Sequence, residues 1–277
     1  MSKKHRKKSG FTLIELLVVI AIIALLLSII MPALSRVKVI AQKTICRSNM
    51  RQQSLGVMLY ANENDTWVPT VNSGSWLWDL SFWSTNQISS FAGFDDNKIY
   101  YCPSNKLKEH DDARFWQFQW VFSWGVDLTQ KQAIRDESVL TIAQQRDVYY
   151  RVMPTLYMFD KINSAGNSTL PATLVSGTRS TWVSKLSNLR SASSTLLLMD
   201  NVISQGTQNF FEITAGGVGT TFNTFDNSNH ASRQRFTGTN YVKPEGANLV
   251  FADGSVGWRN FDDMQVQVNN GGVNFWW

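Results

Sequence analysis

The apolar positions of this chain fall into two regimes, an unbroken block near the N-terminus and short alternating segments later. Fifteen of the sixteen residues from Thr12 to Leu27 are apolar or nearly so, and the exception is Glu15. The full run, residues 11–31, would span about 31 Å as a helix at ~1.5 Å per residue. That matches a bilayer hydrocarbon core of roughly 30 Å, where one isolated segment can satisfy its backbone only as a helix. Pro32 closes the run, removes a backbone donor and is expected to bend or locally open the helix. Residues 33–62 contain no Pro and only Gly56. Leu34, Val37, Ala41, Ile45, Leu55 and Met58 or Leu59 can share one helical face, with Arg36, Lys38, Lys43, Arg47 and Arg51 on the polar side. The pattern predicts one helix over about 11–62, half in a membrane and half against a soluble domain. "NEND", then Trp67 and Pro69, ends it.

From about residue 66 the texture changes to short segments rich in Trp, Phe, Ser, Asn and Gly. "WQFQWVFSW", 116–124, alternates strictly and predicts a strand. "STLLLMD", 194–200, predicts a buried strand, and "ANLVFADGSVGW", 247–258, a β-hairpin with Asp253-Gly254 in its turn. Residues 129–150 read as helical. The fold class is α+β, a long N-terminal helix packed on an antiparallel β-sheet.

Charge changes this picture in one respect. The net charge of +5 comes from Lys3, Lys4, Arg6, Lys7 and Lys8; without these five, 21 basic residues face 21 acidic ones. No basic face remains for nucleic acid. The leader reads as the positive, cytoplasmic flank of a membrane segment.

Candidate chemistry is sparse. The two cysteines, Cys46 and Cys102, form no Cys-x-x-Cys pair, and the three histidines, His5, His110 and His230, show no ligand spacing. A structural zinc site is therefore not expected. Nucleophile-elbow, zincin, P-loop and dinucleotide motifs are absent from the sequence. Asp95-Asp96, Asp111-Asp112 and Asp262-Asp263 read as solvated loop acids rather than a glycosidase pair. The expectation is a non-enzyme without a cofactor. Eleven tryptophans leave a second reading, a membrane-tethered carbohydrate-binding module stacking sugars on Trp76, Trp78, Trp83, Trp276 and Trp277. The last two are expected to be the most exposed.

Glu15 has three readings. A cleaved secretory signal fits the basic flank, but the apolar run is too long and "IIMPALSRV" is a poor cleavage site. A plain anchor leaves Glu15 to snorkel, at a cost below the ~2.5–3.5 kcal/mol of a bilayer-centre carboxylate. Third, Gly10-Phe11-Thr12-Leu13-Ile14-Glu15 behind a Lys/Arg leader closely resembles the processing site of type IV pilins and type II secretion pseudopilins. The resemblance implies cleavage by prepilin peptidase between Gly10 and Phe11 and N-methylation of Phe11. It makes Glu15 the fifth mature residue, facing the α-amino group of a neighbouring subunit's Phe11. Each charge is costly alone in an apolar bundle, so the pair sets register more than it adds stability. Many pilins carry a proline at the place of Pro32. The implied partners are the peptidase, like subunits, inner-membrane lipid, and an assembly platform with its ATPase. The implied location is the bacterial inner membrane, N-terminus inside and C-terminal domain periplasmic, in a filament that can reach the cell surface.

"CRSNMRQQSLGVMLYANENDTWVP", "YYCPSN" and "KLSNLRSASSTLLLMDN" resemble a large group of pseudopilin-like proteins labelled by a C-terminal signature of His, nine residues, then Asp-Gly. Here 22 residues lie between His230 and Asp253-Gly254, through an insertion around 233–245. His230 reads as a surface or hydrogen-bonded histidine near a loop. The organisation implied is a leader at 1–10, a transmembrane half-helix at 11–34, its soluble half at 35–62 and a β-rich domain at 63–277. A variable insertion occupies about 125–190. Outside the cytoplasm thiols tend to be oxidised. Cys46 and Cys102 are therefore expected to form a disulfide, worth about 3–5 kcal/mol, with two free buried thiols as the alternative. Some pseudopilins hold calcium in a C-terminal loop; Asp226, Asn227 and Asn229 are the candidates here, without a full EF-hand pattern.

Overall fold

The apolar block and the amphipathic stretch behind it form one helix, α1 (Leu13–Glu63), which continues through Pro32. The computed structural model describes residues 12–69, 77–94, 97–105, 141–142, 150–152, 154–161, 168, 170, 174–177, 182–205, 227–235, 237–238, 242–270 and 273–277. The segment 116–124 and all but three residues of 129–150 lie outside these. Two units are distinguished, Met1–Gln42 and Lys43–Trp277. In the first, Leu13 to Leu34 are exposed along the whole helix, and this part of α1 is long and apolar enough to cross a membrane.

In the second unit α1 buries Cys46, Met50, Gln53, Ser54, Gly56, Val57, Tyr60 and Ala61. This is not the face expected from apolar spacing: Ile45, Leu55 and Leu59 stay 49%, 50% and 42% exposed. Two polar residues help select the buried face. Gln53 Nε2 donates to the Ile99 carbonyl, and Tyr157 Oη donates to Gln53 Oε1 at 2.7 Å. Buried amides are tolerated when both ends are bonded, so the inward face includes Gln53 while larger aliphatics lie outside.

Among the described residues, besides short 3-10 turns, follow α2 (Phe82–Ala92) and the strands β1 (Asp79–Ser81), β2 (Tyr150–Val152), β3 (Thr155–Tyr157), β4 (Leu196–Asp200), β5 (Val202–Gln205) and β6 (Asn227–Ser228), then β7 (Ala231–Arg235), β8 (Val242–Pro244), β9 (Gly246–Phe251), β10 (Val256–Asn260), β11 (Val266–Asn270) and β12 (Val273–Trp276). One antiparallel sheet runs β10-β9-β4-β3 and a second β11-β12-β5-β6, with β1-β2 and β7-β8 as short pairs. Side chains along 156–159 alternate between two cores, as the period of a strand requires, while β4 breaks the alternation at a register shift between Leu196 and Leu198. Tyr157 and Phe159 join Met50, Val57 and Leu197 on the α1 side; Leu156 and Met158 join Met199, Phe275 and Trp276 on the other. The first sheet is thus covered on both faces, which accounts for the continuous apolar run of β4.

The expected hairpin forms as β9 and β10, with Val256 opposite Val250. Gly254 sits in its turn at φ +81°, a conformation that favours glycine. Asp253 Oδ1 accepts from the Ser255 amide and hydroxyl. The tryptophans depart from expectation. Trp276 is buried, with Nε1 donating to Ser204 Oγ, and Trp277 is half-buried. Trp78 packs against Phe275 at 5.2 Å between ring centroids. The C-terminal strand pairs within the sheet, so its aromatics fill the core instead of facing solvent.

Gly56 marks where α1 meets α2 most closely. A Cβ there would stand 2.5 Å from the Ile88 carbonyl oxygen and 3.1 Å from Ala92 Cβ. Alanine gains about 1 kcal/mol of helix propensity, but overpacking against backbone costs about 1–3 kcal/mol. Gly56→Ala is expected to lower stability by about 1 kcal/mol. Chemical denaturation of the detergent-solubilised chain, with tryptophan fluorescence as the signal, measures it.

Candidate functional site

At the N-terminus of α1, Gly10 and Phe11 lie outside the described residues. The helix start behind them is described. Thr12 Oγ1 accepts from the Glu15 amide at 3.2 Å, while Glu15 Oε2 accepts from the Thr12 amide and hydroxyl, both at 2.8 Å. This is a reciprocal capping box, which satisfies two of the backbone donors that a helix start leaves open. A carboxylate in the first turn is also favoured by the helix dipole. Sequence reasoning assigned Glu15 a role between subunits and missed this one within the chain. The Thr-x-x-Glu spacing was the available signal.

The second site is assembled only by the fold. Asp200 ends β4, and the chain passes through Asn201 alone into β5, which belongs to the other sheet. Cys46 comes from α1. Cys102 opens a turn of Cys102-Pro103-Ser104-Asn105, closed by Asn105 N donating to Cys102 O at 2.9 Å. His230 lies between β6 and β7, and its carbonyl accepts from Glu245 N at 2.8 Å. The ligand-capable atoms of Cys46, Cys102, Asp200 and His230 all lie within 4.8 Å of one another, and all four residues are buried. The α1 segment, "YYCPSN", "MDN" and the signature histidine each supply one member.

The two cysteines are free, so the expected disulfide is not formed. The two thiols hydrogen-bond one another, and each sulfur has a further partner: Cys46 Sγ donates to Asp200 Oδ1 at 3.0 Å, and Cys102 Sγ stands 3.7 Å from His230 Nε2. His230 is not a surface residue; it is 2% exposed, with Nε2 at 3.0 Å from Asp200 Oδ2. The insertion that separates His230 from Asp253 does not displace it, because the β7-β8 pair folds back and Glu245 closes on the histidine backbone. Asp253 and Gly254 stand apart, in the hairpin turn against Met58.

An amide shell holds the carboxylate. Asn248 donates to Asp200 Oδ2 from its backbone N at 2.9 Å and from Nδ2 at 2.7 Å, and Asn229 Nδ2 donates to Oδ1 at 2.7 Å. Asn105 Nδ2 in turn donates to Asn229 Oδ1. Of the calcium candidates, Asp226 lies outside the described residues, as does the side chain of Asn227. Asn229 points its amide nitrogen at Asp200, so it serves this cluster as a donor. Sequence reasoning gave no role to Asp200, Asn105 or Asn248, although the first two lie inside the quoted segments "KLSNLRSASSTLLLMDN" and "YYCPSN".

The electrostatics follow from that packing. Burial disfavours the Asp200 carboxylate, but the His230 charge and the hydrogen bonds from His230, Asn229 and Cys46 outweigh it and hold the group well below the usual carboxylate range. Burial disfavours the His230 imidazolium, yet the charge and hydrogen bond of Asp200, with the bond to Cys102, push it up to about 10. The thiols diverge. The bond to Cys102, then burial and Asp200, push Cys46 up. Burial alone would raise Cys102, but Cys46 and His230 draw it down to about 5.

A Cys-His-Asp catalytic relay needs its acid on one ring nitrogen and its nucleophile on the other. Here both face Nε2, while Nδ1 is buried with no hydrogen-bond partner among the described residues. The arrangement suits convergence on a point rather than proton relay. Trp258 closes it on one side, its ring 5.2 Å from the imidazole and edge-on to it.

Nothing among curated proteins or solved structures matches the chain. Residues 5–31 match the prokaryotic N-terminal methylation motif, which supports a type IV pilin-like family and a prepilin-peptidase substrate.

Proposed function

We propose that the chain is a structural subunit of pseudopilin or minor-pilin type, in a type II secretion or type IV pilus-like filament. The observation that carries this is the methylation motif at 5–31, placed on a helix long and apolar enough to cross a membrane. In this reading the leader is cut between Gly10 and Phe11 and Phe11 is methylated. The C-terminal domain is held on the periplasmic side, and an assembly platform with its ATPase drives incorporation. Repeated head-to-tail contacts do not close, so they extend into a helical filament.

Two features of the fold support a subunit over a tethered sugar-binding module. Ile45, Leu55 and Leu59 leave an apolar stripe on α1 turned away from its own sheet, as helix packing between subunits requires. The stacking platform offered by the C-terminal tryptophans is spent on the core, Trp276 being 5% exposed.

The mass of the mature N-terminal peptide tests the reading. It is expected to begin at Phe11 and to carry one added methyl group. A peptide still beginning at Met1, from cells whose peptidase processes another substrate, overturns it.

A further inference from the structure

We propose that Cys46, Cys102, Asp200 and His230 form a structural zinc site that ties α1 to the junction of the two sheets. The inference concerns the Lys43–Trp277 unit and does not depend on the assembly reading.

The geometry points to a shared central atom. Four-coordinate zinc has bonds of ~2.0–2.3 Å, which set ligand–ligand edges of about 3.3–3.8 Å. The cluster shows 3.7 Å from Cys102 Sγ to His230 Nε2, within that range, and 3.0 Å from Cys46 Sγ to Asp200 Oδ1 and from His230 Nε2 to Asp200 Oδ2, slightly below it. Hydrogen bonding alone accounts poorly for the crowding. His230 Nε2 offers one hydrogen or one lone pair, yet Asp200 Oδ2, Cys102 Sγ and Asn248 Nδ2 stand around it at 3.0, 3.7 and 3.4 Å.

The donor set selects the metal. Two thiolates, an imidazole and a carboxylate in a closed, buried tetrahedral site suit zinc, and the absence of solvent access marks the site as structural. Charge is accommodated. Two thiolates and Asp200 against a divalent ion leave one surplus negative charge, and the amide donors of Asn229 and Asn248 already point at Asp200. Such a shell around a ligating carboxylate is what orients it. The bound ion would join helix α1, the Cys102 turn, strand β4 and the β6–β7 connection, taking the place that the disulfide was expected to hold. Its binding energy would add to folding.

The full-length chain, purified in detergent with reductant and without chelator, is expected to carry one zinc ion per chain by elemental analysis. Cobalt(II) in place of zinc should give tetrahedral ligand-field bands and a thiolate-to-cobalt charge-transfer band. Cys102→Ser should lose that charge-transfer intensity in part and weaken cobalt binding by more than about 100-fold. Asn248→Ala, in the shell, should weaken it about 10- to 100-fold. The wild-type stoichiometry and cobalt spectrum need no variant to fold. Several results overturn the proposal: a chain isolated from cells with an intact mass two hydrogens low, a reduced chain that binds neither zinc nor cobalt, or a cobalt spectrum without thiolate charge transfer.

Discussion

Glu15→Gln is expected to leave export, leader cleavage and the start of α1 intact, and to reduce the subunit recovered in filaments or cross-linked complexes by about 100-fold or more. The two roles of this side chain separate in that substitution. Glutamine can still reach back to the Thr12 amide, so the capping box survives. What it loses is the negative charge that, in the proposed filament, faces the α-amino group of an adjoining Phe11. Breaking an ion pair buried in an apolar bundle costs about 3–5 kcal/mol, which is a factor of more than about 100 in association. Glu15→Ala removes the cap as well, for a further ~0.5–2 kcal/mol of helix stability. Both variants should therefore fail in assembly, and only alanine should also loosen the first turn. Normal assembly of the glutamine variant beside failure of the alanine variant would assign Glu15 to the cap and reject the pairing.

The second large effect is expected at Asp200. Asp200→Asn should destabilise the folded chain by about 3–5 kcal/mol, the cost of removing one partner from a buried charged pair. The two side chains are nearly the same size, so no cavity confuses the result. An ionised carboxylate only accepts, and every neighbour of Asp200 donates: Cys46 Sγ and Asn229 Nδ2 at Oδ1, His230 Nε2 and both Asn248 nitrogens at Oδ2. An amide must turn its own donor toward one of these sets, leaving buried donors face to face. Asp253→Asn provides the control. That carboxylate is exposed and accepts from Ser255, so the change should stay within about 0.5 kcal/mol. Equilibrium denaturation of both variants in the same detergent gives the difference. A cost at Asp200 no larger than at Asp253 would mean that the cluster is not held together by its charge.

The amide shell shows why these effects concentrate at one point. Asn105, Asn229 and Asn248 are neutral, but their hydrogen bonds are arranged in series toward Asp200. A buried network of this kind is costly when partly satisfied and rigid when complete. It occupies the place where β4 leaves one sheet and β5 enters the other, the position at which a small displacement would disturb both cores.

The sequence by itself determined what depends on neighbours along the chain. The apolar block, the helix through residue 63 and the hairpin at Asp253-Gly254 are local patterns, and each forms where its spacing places it. The processing motif is likewise contiguous, and it matches as a motif. Tertiary structure decided which face of α1 is buried, because that depends on Tyr157 and Ile99 being there to bond Gln53. It decided that Trp276 lies inside, because β12 pairs with β5 from seventy residues away in the chain. It decided the Cys46-Cys102-Asp200-His230 cluster most completely. Those residues are separated by 56, 98 and 30 positions, so no spacing rule links them. Only the passage of the chain from β4 in one sheet to β5 in the other, together with the packing of α1, brings one side chain from each segment to a common point.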